Sequence, residues 1–399
     1  MDDGPSYEPV SVKEVLVEMK DTAELLVDLS FSSVLFDSEA LADAVLELES
    51  KMDLLQLQAR MSLVMAGRRP EEAERLAPVF GIVGAAEKIS DAAGDVAKVV
   101  REEIELPPSF RSSLPEALET FVRVTVAPES PYAGQTLADA DIESQTGVRV
   151  LAIGRGEDWI VGPGREATLR PGDVLLCRGP ESGVETVHET ATGSSYAPPT
   201  PSRDPPTDLA RAVETLALMK STSELAVDLA YGSVLFDSEA LADEVRRLEV
   251  EVDAQRSRFE AWVLQAAADV EDPVSLRGLI HIAAAAETIS DAALEISEGV
   301  LRGVGSHPVV AAAVGESSEV IVRETVGAGS ELDGTTVGAA AVGSASGVDI
   351  VAVRRGDAES EAPEYVLSPS PETVLRADDV LVAAGTRAGA ENLAAMAAG

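Results

Sequence analysis

Residues 33–43 read SVLFDSEALAD, and residues 233–243 repeat the same eleven letters at an offset of 200. Two further stretches keep this offset: MKDTAELLVDL at 19–29 matches MKSTSELAVDL at 219–229, and AAEKISDAA at 85–93 matches AAETISDAA at 285–293. GVRVLAIGRG at 147–156 returns more loosely as GVDIVAVRRG at 347–356. Self-similarity at a fixed period indicates a duplicated structural unit. The 399-residue chain therefore contains two copies of one arrangement.

The first half of each copy has the periodicity of α-helices. From residue 12 to about residue 105, apolar residues recur at spacings of three and four, with breaks near Asp37 and at 67–70. Asp37 or Ser38 suits a helix N-cap, and Pro70 suits a first helical turn. Three helices joined by short connections predict an antiparallel bundle. We place these bundles at residues 9–106 and 209–304.

The second half of each copy changes to short strands and helices. FVRVTVA at 121–127 alternates, TLADADI at 136–142 suits a short helix, and LRPGDVLL at 169–176 reads as a turn entering a strand. These patterns predict small α/β domains at residues 117–192 and 317–399. The Pro- and Ser-rich residues 193–208 read as a linker. The predicted fold class is thus α and α+β multidomain, with two antiparallel three-helix bundles alternating with two small α/β domains.

The charge balance restricts the partners of this protein. Asp and Glu number 70 against 31 Lys and Arg, so the net charge is −39. A field of this sign repels phosphate backbones and anionic lipids, so we expect no nucleic acid partner and no direct membrane insertion. An acidic excess with only six lysines is similar to that of proteins from salt-in halophiles. No apolar run reaches the about 18 residues of a spanning helix, and we expect a cytoplasmic protein that meets a membrane only through a partner.

Residues that commonly carry catalysis are sparse. Cys177 lies in an apolar run, and the three histidines are far apart in the sequence. They form no zinc-ligand spacing and suggest no nucleophile–base–acid set, and no G-x-G-x-x-G segment follows a strand. We therefore expect no catalytic residues and no enzymatic activity.

Acidic residues recur four positions apart in the predicted bundle helices. This spacing puts two carboxylates on one helix face, where like charges cost a few tenths of a kcal/mol per pair. A cation held by oxygen ligands would offset that cost, with Mg²⁺, Mn²⁺ or iron favoured because no histidine is near. The alternative is a set of solvated surface charges. The candidate metal ligands are Glu87 and Asp91, Glu287 and Asp291, Glu39 and Asp43, Glu239 and Asp243, Glu24 and Asp28, and Glu224 and Asp228.

The helical segments resemble PhoU, a family of helical regulators linked to phosphate and ion uptake. AEKISDAAGDVA at 86–97 and AETISDAALEIS at 286–297 resemble the third helix of that family, and FDSEALADAVLELESKMDLL at 36–55 resembles its second helix. Full-length PhoU proteins pair two three-helix units, which the two halves of this chain would supply. PhoU relatives bind iron or zinc clusters through E/D-x-x-x-D pairs, so the resemblance implies divalent or iron cations at the acidic pairs.

The α/β segments resemble the C-terminal domain of RCK/TrkA potassium-transport regulators. The residues that carry the resemblance are YAGQTLADADI at 132–142, TGVRVLAIGRGEDWIVGP at 146–163 and LRPGDVLLCRG at 169–179. It implies a ligand-sensing, dimer-forming domain, and in some relatives cyclic di-AMP binds at the dimer interface. We therefore expect a cyclic dinucleotide or another small nucleotide as ligand. Arg149, Arg155, Arg354 and Arg355 are the candidate ligand-binding residues, because guanidinium groups suit phosphate; pairing with nearby acids is the alternative.

Together these resemblances imply a cytosolic regulator that senses a ligand and controls a membrane cation transporter or channel, with potassium as the expected ion. We expect a homodimer or an intramolecular pseudo-dimer formed by the two copies. Two alternatives remain open: a PhoU-type regulator of phosphate uptake or signalling, and a metal-binding or metal-storage helical protein.

Overall fold

The computed structural model describes most of the chain. The described residues are 11–67, 69–104, 106–107, 110, 120–156, 158–179, 181–196, 207–302, 307–343, 348–355 and 364–398. Residues 197–206 of the predicted linker lie outside this set, as do the predicted domain limits at residues 9, 117, 304 and 399.

The first copy begins with three long helices. They are α1 (Val12–Leu35), α2 (Glu39–Ala66) and α3 (Pro70–Arg101). The Ser38 hydroxyl caps α2 by accepting from the backbone N–H of Leu41, and Asp37 makes the preceding turn at φ +49°. Each helix packs against the other two, as the spacing of apolar residues predicts.

A small antiparallel sheet follows the first bundle. Its elements are β1 (Thr120–Thr125), α4 (Leu137–Ala140), α5 (Ile142–Thr146), β2 (Arg149–Arg155), β3 (Asp158–Val161), β4 (Val174–Gly179) and α6 (Glu181–Thr192). The strands lie in the order β1-β4-β2-β3. One face packs on α1 and α2 of the same copy, and α6 covers the other face.

The second copy repeats this arrangement. Its elements are α7 (Asp208–Phe236), α8 (Glu239–Ala266), a 3₁₀ turn (Pro273–Leu276), α9 (Arg277–Leu301), α10 (Pro308–Glu316), β5 (Val320–Thr325), α11 (Val337–Ala340), β6 (Val348–Arg355), β7 (Glu364–Leu367), β8 (Val380–Gly385) and α12 (Arg387–Ala397). The strand order β5-β8-β6-β7 matches that of the first sheet. The predicted fold class is confirmed.

The two copies are joined along their third helices and by α10. Helices α3 and α9 pack together, with the repeated alanines at 85, 86, 92 and 93 and at 285, 286, 292 and 293 buried in one shared core. Small side chains allow such a close approach of helices. Helix α10 lies between the two predicted units of its own copy and packs on α1 of the other copy as well as on α7. The start of the second sheet is thereby held against the first bundle.

Candidate functional site

A cleft opens where the two sheets meet above α1. Its first wall contains Arg149 on β2 and Arg178 on β4, and its second wall contains Asp349 on β6 and Thr386 after β8. Glu319, just before β5, and Asp28 on α1 also line the cleft. The cleft is open to solvent, and the cavity between its walls has a volume of about 60 Å³.

The two walls come from equivalent strand positions but carry different charges. Arg149 and Arg178 are cross-strand partners in the first sheet, and their counterparts in the second sheet are the cross-strand partners Asp349 and Ala384. Like charges at such positions are destabilising unless they are compensated. Both cations of the cleft lining therefore come from the first copy, and they lie among four lining carboxylates, those of Asp28, Glu143, Glu319 and Asp349.

Each arginine is compensated by a carboxylate from outside its own domain. Arg149 Nη1 donates to Glu319 Oε2 at 3.0 Å, and Arg178 Nη1 donates to Asp28 Oδ1 at 2.6 Å. Asp28 is almost fully buried, while both arginines keep about a quarter of their side chains exposed. These two ion pairs connect the first sheet to the first bundle and to the entrance of the second sheet.

Further charges lie buried directly below the cleft. Lys20 pairs with Glu24 on α1 and donates to the carbonyl oxygen of Glu319 at 3.1 Å, and Lys220 pairs with Glu224 on α7 at 2.6 Å. The two lysine side chains are only 3% and 1% exposed. We call the whole group the central charge cluster: Lys20, Glu24, Asp28, Arg149, Arg178, Lys220, Glu224, Asp228 and Glu319.

The cluster has more carboxylates than cations, and burial shifts their protonation. Burial raises the pKa of Glu24 to about 7, even though Lys20 opposes the shift. Burial also raises the pKa of Asp228, and the nearby carboxylates of Glu319 and Glu24 raise it further. The pKa of Asp28 is raised by burial too, while Arg178 acts to lower it. The charge state of this junction thus depends on pH near neutrality.

Two of the four predicted ligand-binding arginines have structural partners in the sheets. Arg155 donates to both carboxylate oxygens of Asp173 at 2.9 and 2.7 Å and to the carbonyl oxygen of Thr168 at 2.8 Å. Burial acts to raise the pKa of Asp173, but the hydrogen bonds from Arg155 and from the backbone of Arg170 lower it. Arg355 repeats this arrangement with Asp379 and the carbonyl oxygen of Val374. These two guanidinium groups hold the turns before β4 and β8.

The other two predicted arginines differ in position. Arg149 lines the cleft, whereas Arg354 lies on β6 opposite Tyr365 on the edge strand β7. The Nε atom of Arg354 is buried and has no hydrogen-bond partner among the described residues. The structure thus brings Arg149 together with Arg178 and separates it from Arg155, Arg354 and Arg355.

A separate group of acids lies on the surface of the first bundle. Asp53 on α2 and Glu87 and Asp91 on α3 each place a ligand oxygen within 4.8 Å of the others, and we call them the acidic triad. Burial raises the pKa of Asp91, and the charges of Glu87, Asp53 and Asp95 raise it further. Three carboxylates from two helices form a donor set that suits a hard divalent cation.

The equivalent group in the second bundle has a cation of its own. Arg256 on α8 pairs with Glu287, whereas the first copy has Gln56 at the equivalent position. Arg256 therefore supplies a positive charge to Glu287, and the equivalent position in the first copy carries no charge. Across the described residues, the acidic triad is the group of three ligand side chains that meets a metal-site geometry.

The remaining predicted metal pairs have basic partners. Glu24, Asp28 and Glu224 pair with Lys20, Arg178 and Lys220. Glu39 and Asp43 are on the surface, as are Glu239 and Asp243; Asp43 pairs with Arg101, and Asp243 with Arg246. Local lysines and arginines thus offset much of the like-charge repulsion that the i, i+4 spacing creates.

Sequence reasoning missed several residues that the structure places at the site. Lys20 and Lys220 occupy equivalent repeat positions, four residues before Glu24 and Glu224, so their pairing was visible in the sequence. Asp53, Arg178 and Glu319 join the sites from other elements, and no local pattern marks them.

The fold defines a two-copy protein in which a duplicated helical bundle shares its core with two small sheets, and two arginines line the cleft where the sheets meet. The family model of the PhoU domain matches residues 16–100 and 216–300, and that of the TrkA-C domain matches residues 121–191 and 321–398. The chain therefore carries two PhoU domains alternating with two TrkA-C domains, and both resemblances are confirmed. Both domains belong to families of regulatory domains and not to enzyme families.

Known proteins resemble parts of the chain. The "Probable potassium channel protein 2" of Methanocaldococcus jannaschii is 28% identical over 91 residues, which cover 19% of this chain and 26% of that relative. The chain thus spans about a quarter of the length of this curated relative. PhoU from Pseudomonas aeruginosa is 17% identical, covers 73% of this chain and 96% of its own, and has a TM-score of 0.39. The GsuK RCK domain is 12% identical, covers 78% of each chain and has a TM-score of 0.18.

Within the described residues, no helix is both long and apolar enough to cross a bilayer.

Proposed function

We propose that the protein is a cytosolic ligand-sensing regulator of a membrane cation transporter or channel, with potassium as the transported ion. The TrkA-C domains and the similarity to a potassium channel protein support this assignment. The ligand would be a small anionic nucleotide, such as a cyclic dinucleotide, bound in the cleft between the two sheets.

The observation that carries this proposal is the pairing of Arg149 and Arg178 at the cleft. Both guanidinium groups are partly exposed, and each is held by a carboxylate that belongs to another structural unit. A phosphate group would compete for them as a bidentate acceptor. On the opposite wall, Asp349 and Thr386 bring a carboxylate and a hydroxyl to the cleft lining, and the Thr386 oxygen also caps α12 by accepting from the backbone N–H of Gly389.

Ligand binding at these arginines would change how the domains are joined. A phosphate that takes Arg178 releases Asp28 on α1, and one that takes Arg149 releases Glu319 before β5. The ligand would then favour an arrangement in which the sheets are less tightly tied to the first bundle. Such a ligand shifts the population between two arrangements by its difference in affinity for them. A transporter that binds one arrangement better would respond to the ligand.

Calorimetric titration of the full chain in KCl with cyclic di-AMP, ATP and AMP tests the ligand site. We expect one of these nucleotides to bind, and the double variant Arg149→Gln/Arg178→Gln to bind it at least about tenfold more weakly. The exposed Arg170 offers a matched control, since its side chain lies outside the cleft lining. The cleft is not the sensor if none of the nucleotides binds, or if Arg149→Gln/Arg178→Gln and the control Arg170→Gln bind the nucleotide equally well.

Affinity purification from detergent-solubilised membranes in concentrated KCl tests the choice of transporter. A co-purifying potassium channel or transporter would support the proposal, and its ion flux in liposomes should then respond to the nucleotide. A co-purifying phosphate transporter would instead support the PhoU-type alternative.

We infer that the acidic triad is also a candidate metal site. Three carboxylates converge there, and the position equivalent to Arg256 holds the uncharged Gln56. Oxygen ligands favour Mg²⁺, Mn²⁺ or iron. Equilibrium dialysis with Mn²⁺ should find a site that Asp91→Asn removes, whereas Asp291→Asn in the second bundle leaves it intact. Equal losses in both variants, or none in either, would contradict this role.

A further inference from the structure

Helix α2 exposes a row of large apolar side chains in its C-terminal half. Leu54, Leu57, Met61, Val64 and Met65 are 58%, 55%, 38%, 69% and 51% exposed, and we call them the α2 stripe. The opposite face of the same helix already supplies the bundle core through residues 52, 55, 59 and 63. Helix α2 thus has a second apolar face that the described residues leave open.

The second copy shows that the bundle fold does not require this stripe. The equivalent residues on α8 are Ala254, Ser257, Ala261, Leu264 and Gln265, so only one large apolar side chain remains. Helix α8 packs in its bundle like α2 does in the first. The α2 stripe is therefore specific to the first copy, and its exposure needs another explanation.

The spacing of the stripe predicts what kind of surface it would bind. Residues 54, 57, 61 and 64 are separated by three, four and three positions, which is the a/d spacing of a coiled-coil seam. The ten helical steps from Leu54 to Val64 make a seam about 15 Å long. A seam of this type accepts the apolar face of another α-helix at a shallow crossing angle.

The segment that carries the stripe is locally basic in an otherwise acidic chain. Between Asp53 and Glu71 the sequence has no acidic residue and has arginines at positions 60, 68 and 69, in a chain with 70 Asp and Glu. Arg60 and Arg69 are exposed. The corresponding part of the second copy includes Glu260 and Asp269. A partner with acidic residues beside its apolar seam would complement the arginines.

The area of the stripe fits a small interface with one helix. With roughly 150 Å² for each fully exposed large side chain, the five residues present on the order of 400 Å². This approaches the roughly 500 Å² per partner at the lower limit of specific interfaces. An antiparallel pair of two such chains could match Leu54 with Val64 and Leu57 with Met61. It would also bring the Arg60 side chains of the two chains close together and join two chains that each have a net charge of −39. An acidic-flanked helix of another protein avoids both penalties.

We propose that the α2 stripe is a docking face for an amphipathic helix of another protein, with apolar residues at a and d positions and acidic residues beside them. The first copy alone carries this face, so each chain binds one such helix. This proposal does not depend on the nucleotide site, because the α2 stripe and the cleft share no residues.

A designed peptide tests the docking face directly. The probe is a fluorescent helix of about three heptads, with Leu at a and d and Glu at e and g, which also keeps the peptide from pairing with itself. The matched peptide carries Gln at e and g. Because the chain is strongly acidic, general attraction cannot explain binding of the acidic peptide. We expect the acidic peptide to bind the full chain more tightly than the Gln peptide, with a preference that weakens as salt rises.

Exchanging residues between the copies locates the site. Leu57→Ser/Met61→Ala gives the first copy the residues of the second and should weaken peptide binding at least about tenfold. The reverse exchange, Ser257→Leu/Ala261→Met, should add apolar contact on α8 and strengthen binding there. Thermal unfolding checks that both variants fold. Equal binding by wild type and Leu57→Ser/Met61→Ala, or a wild-type dimer in light scattering that this variant dissociates, would overturn the proposal.

Discussion

Replacing Arg178 with glutamine tests whether the central charge cluster holds the first sheet to the first bundle. Arg178 donates to Asp28 at 2.6 Å, and the side chains of the two residues are 24% and 3% exposed. In the variant, Asp28 stays buried without this guanidinium. Removing one partner of a buried ion pair costs about 3–5 kcal/mol. Because Arg178 is partly exposed to solvent, we expect a loss near the lower value, about 3 kcal/mol.

This loss should depend on pH in a defined direction. Burial raises the pKa of Asp28 while Arg178 acts to lower it, so removing the arginine raises the pKa further. Between the ordinary value of 3.8 and the raised value, the folded chain binds more protons than the unfolded chain. Stability therefore falls as pH rises through this window. The difference between the variant and the wild type should be larger at about pH 8 than at about pH 5.

Thermal unfolding followed by circular dichroism in constant KCl measures both effects. The double variant Asp28→Asn/Arg178→Gln has no buried unpaired carboxylate at this position, so it should be more stable than Arg178→Gln alone by about 1–2 kcal/mol. Arg170→Gln is the exposed control. The reasoning is refuted if Arg178→Gln unfolds within about 1 °C of the wild type at both pH values, or if adding Asp28→Asn brings no recovery.

Three further predictions concern single groups. Burial raises the pKa of Glu24 from 4.5 to about 7, so the stability of the wild type should fall as pH rises between these values. The unfolding temperature of Glu24→Gln should change less with pH over the same range. Asp173→Asn weakens charge-assisted bonds from Arg155 and should cost roughly 2–3 kcal/mol in a denaturant titration, with no such loss in an Asp139→Asn surface control. Gly172 has φ +88° with open space around it, so Gly172→Ala should cost about 1 kcal/mol and Gly172→Asn less, by thermal unfolding.

The sequence predicts the fold in detail where local chemistry decides it. The repeat, the helix periodicity, the Ser38 cap and the turn at 170–173 are all local signals, and each corresponds to a structural element. The second copy places Asp378 at φ +70° where the first has Gly172, which is consistent with the tolerance of Asp for left-handed backbone. Helix α10 was not predicted: Pro308 marks its first turn, but its nine residues are apolar almost throughout and show no amphipathic period.

The candidate sites were harder to predict because they join residues from distant elements. A spacing of four residues identifies carboxylates on one helix face, but the acidic triad needs Asp53 from the neighbouring helix. The same spacing cannot separate metal ligands from ion pairs, and Glu24 and Glu224 pair with lysines one turn earlier. Arg178 and Asp28 lie 150 positions apart in the chain, so only the tertiary packing brings them together.

Joining two copies in one chain allows a kind of interface that two identical chains cannot form. In a symmetric dimer, the residues at equivalent positions are the same, so Arg149 would face another Arg149 across the axis. Here the equivalent residue is Asp349, and both line one cleft. The copies differ in the same way at the acidic triad, where Gln56 is replaced by Arg256, and at the α2 stripe, where Leu57 is replaced by Ser257. The proposed ligand, metal and docking sites therefore draw mainly on the first copy, while the second supplies the complementary wall and Glu319.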